Sequence, residues 1–417
     1  MKNQTINYSL EVLMLIIDQN ILFSIAIKNL TYTKKLDNKT KSDVSALVGS
    51  TLRHFAVIQL LIDKHFGKIE LPLARSLMLY ISNDLFVKRL DSKQLIRELK
   101  EDFMENNVPF NEDFLSKLSS SDLSFLSDEE SNTIKGWAIR NNLPEWLIGM
   151  WFKQYGERIG GLIIRGLRKQ SNYCYINKCE ITKEEFLKTY PDFADTSIDG
   201  VVKYLGKTSI LGTKAIADHM CFGVQPGDVL AFEKMDIDPM MGFAILGASH
   251  NSVHLIQAAN DSHLTKMTIV SPESTDYYKY KKSIAFFDLK NVELINSSAS
   301  LSTCLSQPVK TLLVLPENTN FRNFINHCDY FLHCKQDAID GFLAKQNAAL
   351  EDAAPLVIEG GQLVYMVNTV NKKETTTMVM NFLKNHPEYE LEAHRQFLPF
   401  DEYQTCMYYA VMRKKAQ

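Results

Sequence analysis

Thr311-Leu-Leu-Val-Leu-Pro-Glu-Asn-Thr-Asn-Phe-Arg322 and Gly360-Gly-Gln-Leu-Val-Tyr-Met-Val-Asn-Thr-Val370 each run from a short apolar segment into a polar loop. Short apolar runs bounded by turn residues are typical of buried strands. Three similar segments precede them, spaced widely enough for helices to intervene: 242–246, 267–270 and 292–295. Strands that alternate with helices predict an α/β fold with a doubly wound, mostly parallel sheet.

The N-terminal third of the chain carries helical periodicity instead. Apolar residues recur at intervals of three and four, as in the set Leu52, Phe55, Ile58, Leu61 and Ile62. A second stripe predicts one buried helix through Leu10, Leu13, Ile17, Ile21 and Ile25, and the charged residues between them exclude a membrane span. We therefore predict three domains: a helical domain over 1–130, a small α/β domain over 131–225, and the sheet domain over 226–417.

Composition narrows the class of protein. The chain of 417 residues is 45% hydrophobic and has a net charge of −3, so any contact with nucleic acid must use local basic patches. The seven cysteines form no Cys-x-x-Cys pair and no secretory signal is visible, which predicts a reducing, cytoplasmic location. No DNA or membrane partner is indicated.

Several ordered segments carry a resemblance to a known family. They are Pro144-Glu-Trp-Leu147, Tyr175-Ile-Asn177, Ile181-Thr-Lys-Glu-Glu-Phe-Leu187, Asn291-Val-Glu-Leu-Ile295, His327-Cys-Asp329, Ala353-Ala-Pro-Leu356, Gly360-Gly-Gln-Leu-Val-Tyr365, Phe397-Leu-Pro399 and Tyr408-Tyr-Ala410. Their order resembles the Sun/Fmu type of RNA cytosine-5 methyltransferase, which methylates ribosomal RNA. The resemblance implies a Rossmann-like S-adenosylmethionine methyltransferase fold preceded by an all-helical NusB-like domain.

The family's reactive groups are replaced in this chain. Methylation of cytosine C5 needs a nucleophile that adds to C6, and a thiolate suits this task. The resemblance implies one cysteine in each of the two opening segments and a carboxylate nearby, but these positions hold Asn318, Asn368 and Leu315. A delocalised amide nitrogen cannot attack C6, so we predict that the site is catalytically inactive.

The cofactor positions are degenerate in the same way. S-adenosylmethionine is ordinarily held by a glycine-rich turn and by carboxylates after the second and third strands. The matching positions here are Gly247, Ser249, Ser271, Ser298 and Leu315, with His250 inside the first turn and no acid among them. An alternative register would use Gln225-Pro-Gly-Asp228 as the lead-in to the first strand. We predict that no cofactor binds.

The best candidates for RNA contact are Arg165, Arg168, Lys169, Tyr175 and Asn177, because RNA binding combines cations with aromatic rings. A solvated helix end followed by a strand explains the same residues. The cluster Tyr278-Lys-Tyr-Lys-Lys282 is interpreted as a solvated helix face.

Three cysteines near the catalytic loop, Cys304, Cys328 and Cys334, are interpreted as ordinary thiols rather than displaced nucleophiles. The pairs His327-Cys328 and His333-Cys334 match no common zinc module, so no metal site is predicted.

Three hypotheses follow. The first is an RNA-binding protein that is related to the 16S ribosomal RNA methyltransferases but has lost catalytic activity. It would act in ribosomal RNA contacts, with a possible protein partner at its helical domain. The second is an active, divergent methyltransferase that uses S-adenosylmethionine. The third is a protein-interaction scaffold without RNA.

Overall fold

The computed structural model describes residues 4–105, 109, 111–118, 131–168, 171–238, 240–247, 267–272, 274–286, 289–333 and 335–416. These residues form two compact units. Unit 1 contains the described residues of 1–160 together with 326–336, and unit 2 contains those of 161–325 and 337–417. The three-domain division expected from the sequence stays a prediction.

All the regular secondary structure in the described residues of unit 1 is helical, which agrees with the helical periodicity of the N-terminal third of the chain. Its helices are Gln4–Ile17, Phe23–Lys34, Asn38–Arg53, Phe55–Phe66, Pro72–Phe86, Ser92–Glu105, Glu112–Leu118, Ile134–Asn141, Tyr330–His333 and the first part of Glu145–Gly166, which is broken at Gly156 where φ is +77°. Local chemistry sets several helix ends. Asp37 caps the third helix by accepting a hydrogen bond from the Thr40 amide at 2.7 Å, and Pro72 occupies the first turn of the fifth.

The single helix expected from Leu10 to Ile25 is in fact two. The first helix ends at Ile17, Asn20 has a φ of +56°, and the next helix begins at Phe23. Leu10 and Leu13 are buried in the core as expected, but Ile25 is 47% exposed because it lies on the outer face of the second helix. The polar run from 18 to 20 interrupts the helix.

Among the described residues, no single helix has the length and apolar character needed to cross a membrane. One pair bent by 67°, Asn38–Arg53 with Phe55–Phe66, would satisfy that requirement by length and composition.

Unit 2 contains two sheets. The smaller has four antiparallel strands, β1 (Asn172–Ile176), β2 (Phe193–Asp195), β3 (Val201–Tyr204) and β4 (Cys221–Val224), in the order β2-β3-β1-β4. The helix Lys183–Thr189 follows β1 and begins with the predicted capping box, in which Thr182 and Glu185 bond to each other's backbone amides.

The larger sheet has seven strands: β5 (Phe243–Gly247), β6 (Met267–Ser271), β7 (Val292–Asn296), β8 (Val309–Leu315), β9 (Val357–Val367), β10 (Tyr389–Phe397) and β11 (Met407–Lys414). Their order is β10-β11-β9-β8-β5-β6-β7; β5 to β9 pair in parallel, and β10 and β11 are antiparallel. The other helices of unit 2 are Lys214–Ala217, Pro226–Phe232, Ser274–Phe286, Leu301–Cys304, Ala338–Ala353 and Thr376–Asn385. The predicted mixed, mostly parallel α/β sheet is confirmed.

The sheet order also locates the place where a ligand would bind. β5 pairs with β6 on one side and β8 on the other, so the winding direction reverses beside β5. In open α/β sheets, ligands bind at the carboxyl ends of the strands next to such a reversal. The segment Pro226–Phe232 is a helix and β5 begins at Phe243, so the first register of the cofactor positions applies.

Candidate functional site

Asn318 and Asn368 lie just beyond the carboxyl ends of two neighbouring strands of the seven-stranded sheet. Asn318 follows β8 and Asn368 follows β9, and these strands are parallel neighbours. Their next residues touch, because the hydroxyl groups of Thr319 and Thr369 are 2.7 Å apart. The loops after β8 and β9 are therefore in direct contact.

Asn318 shapes its own loop. Its side-chain amide donates a hydrogen bond to the Pro316 carbonyl at 3.0 Å, and its Oδ1 accepts one from the Asn320 amide at 2.9 Å. Asn320 has a φ of +50°, a conformation that asparagine tolerates better than most residues. The side chain of Asn318 is thus used for a turn.

Asn368 is held by a buried arginine. Arg322 Nη1 donates to Asn368 Oδ1 at 2.7 Å, and the Arg322 amide donates to the Asn368 carbonyl at 3.3 Å. The same guanidinium pairs with Asp228 at 3.3 Å, and the two charged side chains are only 2% and 5% exposed. A buried ion pair therefore holds the side chain of Asn368 in place.

A fully buried carboxylate joins the two loops. Glu374 Oε1 accepts hydrogen bonds from the Thr319 amide at 2.9 Å and from Gln346 Nε2 at 3.0 Å. Its Oε2 accepts from the Thr319 hydroxyl at 2.7 Å and from Asn371 Nδ2 at 3.0 Å. Tyr365 extends the network by donating to the Glu374 carbonyl at 2.8 Å. Glu374 therefore fixes the loop after β8 to the loop after β9.

None of the thiols of Cys304, Cys328 and Cys406 combines exposure with a position at the loops after β8 and β9. Cys406 is buried in unit 2, and burial raises the pKa of its thiol well above the ordinary value. Cys328 belongs to the core of unit 1, where burial raises the pKa of its thiol to about 12. Cys304 precedes β8, at the opposite end of the strand from Asn318. Cys334 lies outside the described residues.

Asp329 and His333 also have structural partners within unit 1. Asp329 Oδ2 accepts a hydrogen bond from the Phe23 amide at 2.8 Å, at the start of a helix. His333 Nδ1 lies 3.1 Å from Asn20 Oδ1. Within the described ranges, no group of three or more potential ligands is arranged to hold a metal ion.

The described residues among the positions expected to hold a cofactor lie at the carboxyl ends of β5 to β8. Gly247 has a φ of +116°, and a Cβ atom there would approach the Leu315 carbonyl oxygen to 2.1 Å, so only glycine fits. Ser271 is buried, and its carbonyl accepts the Asn296 side-chain amide at 2.9 Å. Ser298 is exposed and Leu315 is buried. Ser249 and His250 lie outside the described residues. The described positions offer no carboxylate to a ribose, so they do not fit the usual mode of holding S-adenosylmethionine.

The predicted RNA contacts divide into two groups. Arg165 and Arg168 are exposed, and Lys169 lies outside the described residues. Tyr175 is 7% exposed, so the ring face expected to stack on a base is covered by the protein. Asn177 is also buried, and its side-chain amide donates to the His219 carbonyl at 3.2 Å. Burial therefore argues against the contact roles proposed for Tyr175 and Asn177.

Comparison with known proteins supports the fold. No protein-family model matches the sequence, and no curated protein is significantly similar to it. The crystal structure of PH0851 superposes with a TM-score of 0.73 at 15% identity, over 99% of this chain and 100% of that one. NSun6 from Pyrococcus horikoshii, solved with SFG, has a TM-score of 0.59 at 12% identity over 66% of this chain and 99% of its own.

A methyltransferase homolog protein from Pyrococcus horikoshii has a TM-score of 0.57 at 16% identity, and it covers 68% of this chain and 99% of its own. At these identities the likeness establishes the fold alone. The Rossmann-like methyltransferase architecture that the resemblance implied is confirmed.

Proposed function

We propose that this chain is an RNA-binding relative of the Sun/Fmu RNA cytosine-5 methyltransferases that does not transfer methyl groups. The observation that carries the proposal is the use of both asparagines in structural bonds. Asn318 closes a turn, and Asn368 accepts from the buried Arg322. Neither amide is a nucleophile, and the buried thiol of Cys406 resists deprotonation.

RNA as the partner is supported by the shared architecture with NSun6 and by the exposed Arg165 and Arg168. We further propose ribosomal RNA as the target, a cytoplasmic location and a NusB-like role for the helical unit, in line with the family resemblance. Any protein partner would bind at the helical unit.

The first test is calorimetric titration of the intact chain with S-adenosylmethionine and with S-adenosylhomocysteine, combined with transfer of labelled methyl groups to total ribosomal RNA. We expect no heat at millimolar ligand and no transfer. Binding in the micromolar range together with transfer would establish the active enzyme instead. RNA binding that weakens steeply with salt would separate an RNA-binding protein from a scaffold without RNA.

A double variant tests the reason for inactivity. Asn318→Cys with Asn368→Cys restores both thiols, but the described cofactor positions still lack carboxylates. We expect no methyl transfer from this variant. Transfer would show that the cofactor site functions and that only the thiols were missing.

A further inference from the structure

Lysines cluster along the second half of the helix Phe23–Lys34 and the start of the next helix in unit 1. The segment from 28 to 41 contains five lysines and one acidic residue, in a chain whose net charge is −3. The acidic residue is Asp37, whose carboxylate is occupied with the Thr40 amide at a helix start. Lys34 pairs with Glu11 at 3.6 Å. The other lysines leave a local excess of positive charge.

Three of these lysines surround a groove. Lys28, Lys35 and Lys41 are exposed, and within the described part of the chain none of them forms an ion pair. They line a groove of about 990 Å³ together with Ile27, Asn29 and Tyr32. Lys28 and Tyr32 are four residues apart on one helix and therefore lie on the same face.

Tyr32 is the unusual member of this set because its side chain is 85% exposed. An aromatic ring gains free energy from burial, so folding alone does not favour this placement. A flat ring between unpaired cations matches the surfaces that hold single-stranded nucleic acid, in which cations contact phosphates and bases stack on aromatic rings.

We infer that the groove formed by Lys28, Tyr32, Lys35 and Lys41 binds single-stranded RNA. The lysines contact phosphates and Tyr32 stacks on a base. A polyanion without bases, such as an acidic peptide or an anionic membrane, would use the lysines but would leave the exposed ring without a flat partner. The inference rests on the proposed function in that RNA is the ligand, and it adds the surface that the RNA contacts.

The test measures binding of the intact chain to a fluorescein-labelled oligouridylate by anisotropy over a range of salt concentrations. Tyr32→Ala should weaken binding about 5- to 150-fold, which corresponds to about 1–3 kcal/mol for one stacked base. Tyr32→Phe should retain affinity because it keeps the ring. Replacing the three lysines by Gln should reduce the slope of log K against log salt by about 2, since each phosphate contact contributes about 0.7.

A matched control uses the second exposed basic-aromatic cluster, in unit 2. Tyr278 is 61% exposed and is followed by the exposed Lys281 and Lys282. Tyr278→Ala and the two Lys→Gln changes there should leave binding unchanged. Equal losses from the two clusters would indicate general attraction and overturn the inference.

The outcomes also separate this inference from the proposed function. If the wild-type chain binds the oligouridylate and the Tyr32 and lysine variants bind equally well, the inference that this groove holds RNA is refuted. The proposal that the chain binds RNA is then retained. If the wild-type chain binds no RNA, both fail. Heparin carries charge but no bases, so Tyr32→Ala should leave heparin binding unchanged; an equal loss for heparin and RNA would contradict the stacking role.

Discussion

Replacing Glu374 by Gln should destabilise the sheet edge that holds both asparagine loops. The carboxylate is fully buried and accepts four hydrogen bonds at 3.0 Å or less, two on each oxygen. Glutamine has the same shape but replaces one acceptor oxygen by a donor. Whichever oxygen is replaced, at least one buried donor then faces an NH₂ group.

The magnitude follows from which oxygen is lost. An NH₂ group at the Oε1 position would leave both the Thr319 amide and Gln346 Nε2 without an acceptor. The side-chain amide of the new glutamine should therefore place its NH₂ group at the Oε2 position. At the Oε2 position the Thr319 hydroxyl can rotate and accept, which leaves Asn371 Nδ2 stranded. One donor without an acceptor and weaker remaining hydrogen bonds both lower the free energy of unfolding, while removal of a buried charge partly offsets them. The net loss should be about 2 kcal/mol.

The assay is urea denaturation of the intact chain together with hydrogen exchange. Exchange at the Thr319 amide should accelerate in Glu374→Gln, because that amide donates directly to the carboxylate. The exposed Glu359 on β9 provides the control, and Glu359→Gln should change the free energy of unfolding by less than about 0.5 kcal/mol. An equally small effect at Glu374, with unchanged exchange at Thr319, would refute the reasoning.

Two further predictions concern unit 2. Burial opposes the charged form of His386, but hydrogen bonds to Glu388 at 2.9 Å and Glu351 at 3.0 Å outweigh it and raise the His386 pKa, while the His386 hydrogen bond lowers the Glu388 pKa. The stabilisation from His386 is therefore complete below its unfolded value of about 6.5 and is lost as pH rises through the folded pKa. At acid pH the pair is limited by Glu388, whose pKa is lowered in the folded state. The stabilisation from Glu388 is present above its unfolded value of about 4.5 and is lost as pH falls through its folded pKa. Denaturation of wild type and His386→Gln across this range should show a stability difference that shrinks at alkaline pH, and a constant difference would contradict the ion pairs. Gly247→Ala should lower the free energy of unfolding by about 1–3 kcal/mol, because φ is positive there and the Leu315 carbonyl lies close. Gly223→Ala is the control and should cause no such loss, since the space around Gly223 is open. Equal losses from the two changes in thermal denaturation would contradict the close approach at Gly247.

Much of the large sheet could be predicted from the sequence because strands such as β6 and β8 are buried almost throughout, although β7 is only partly buried. The runs 267–270 and 292–295 fall within β6 and β7, and the apolar part of the first opening segment falls within β8. Strands covered on both faces leave continuous apolar runs that periodicity detects. The start of β9 was missed, because the strand begins at Val357 and passes through Glu359, Gly360 and Gly361 before its apolar part.

The site was less predictable because its key contacts join distant positions. Glu374 lies in a polar stretch of sequence, and only the fold brings it to Thr319, 55 residues away. The exposure of Tyr175 could not be predicted for a related reason. A tyrosine beside basic residues has the same sequence signature whether its ring is exposed or packed, and here the ring packs in the core of unit 2.

The contacts of Asn368 show that a cysteine at this position would change more than the type of side chain. Its Oδ1 is a hydrogen-bond acceptor for Arg322, whose charge is balanced by Asp228 in a buried pair. A thiol is a weak acceptor, so Asn368→Cys would weaken the positioning of a buried cation as well as restore sulfur. Conversely, the guanidinium would favour the thiolate form of a cysteine at 368. Asp228 balances the charge of that guanidinium, so its effect on a thiol at 368 is reduced. Under the proposed function, the lack of carboxylates at the described positions expected to hold the cofactor is therefore the stronger barrier to methyl transfer.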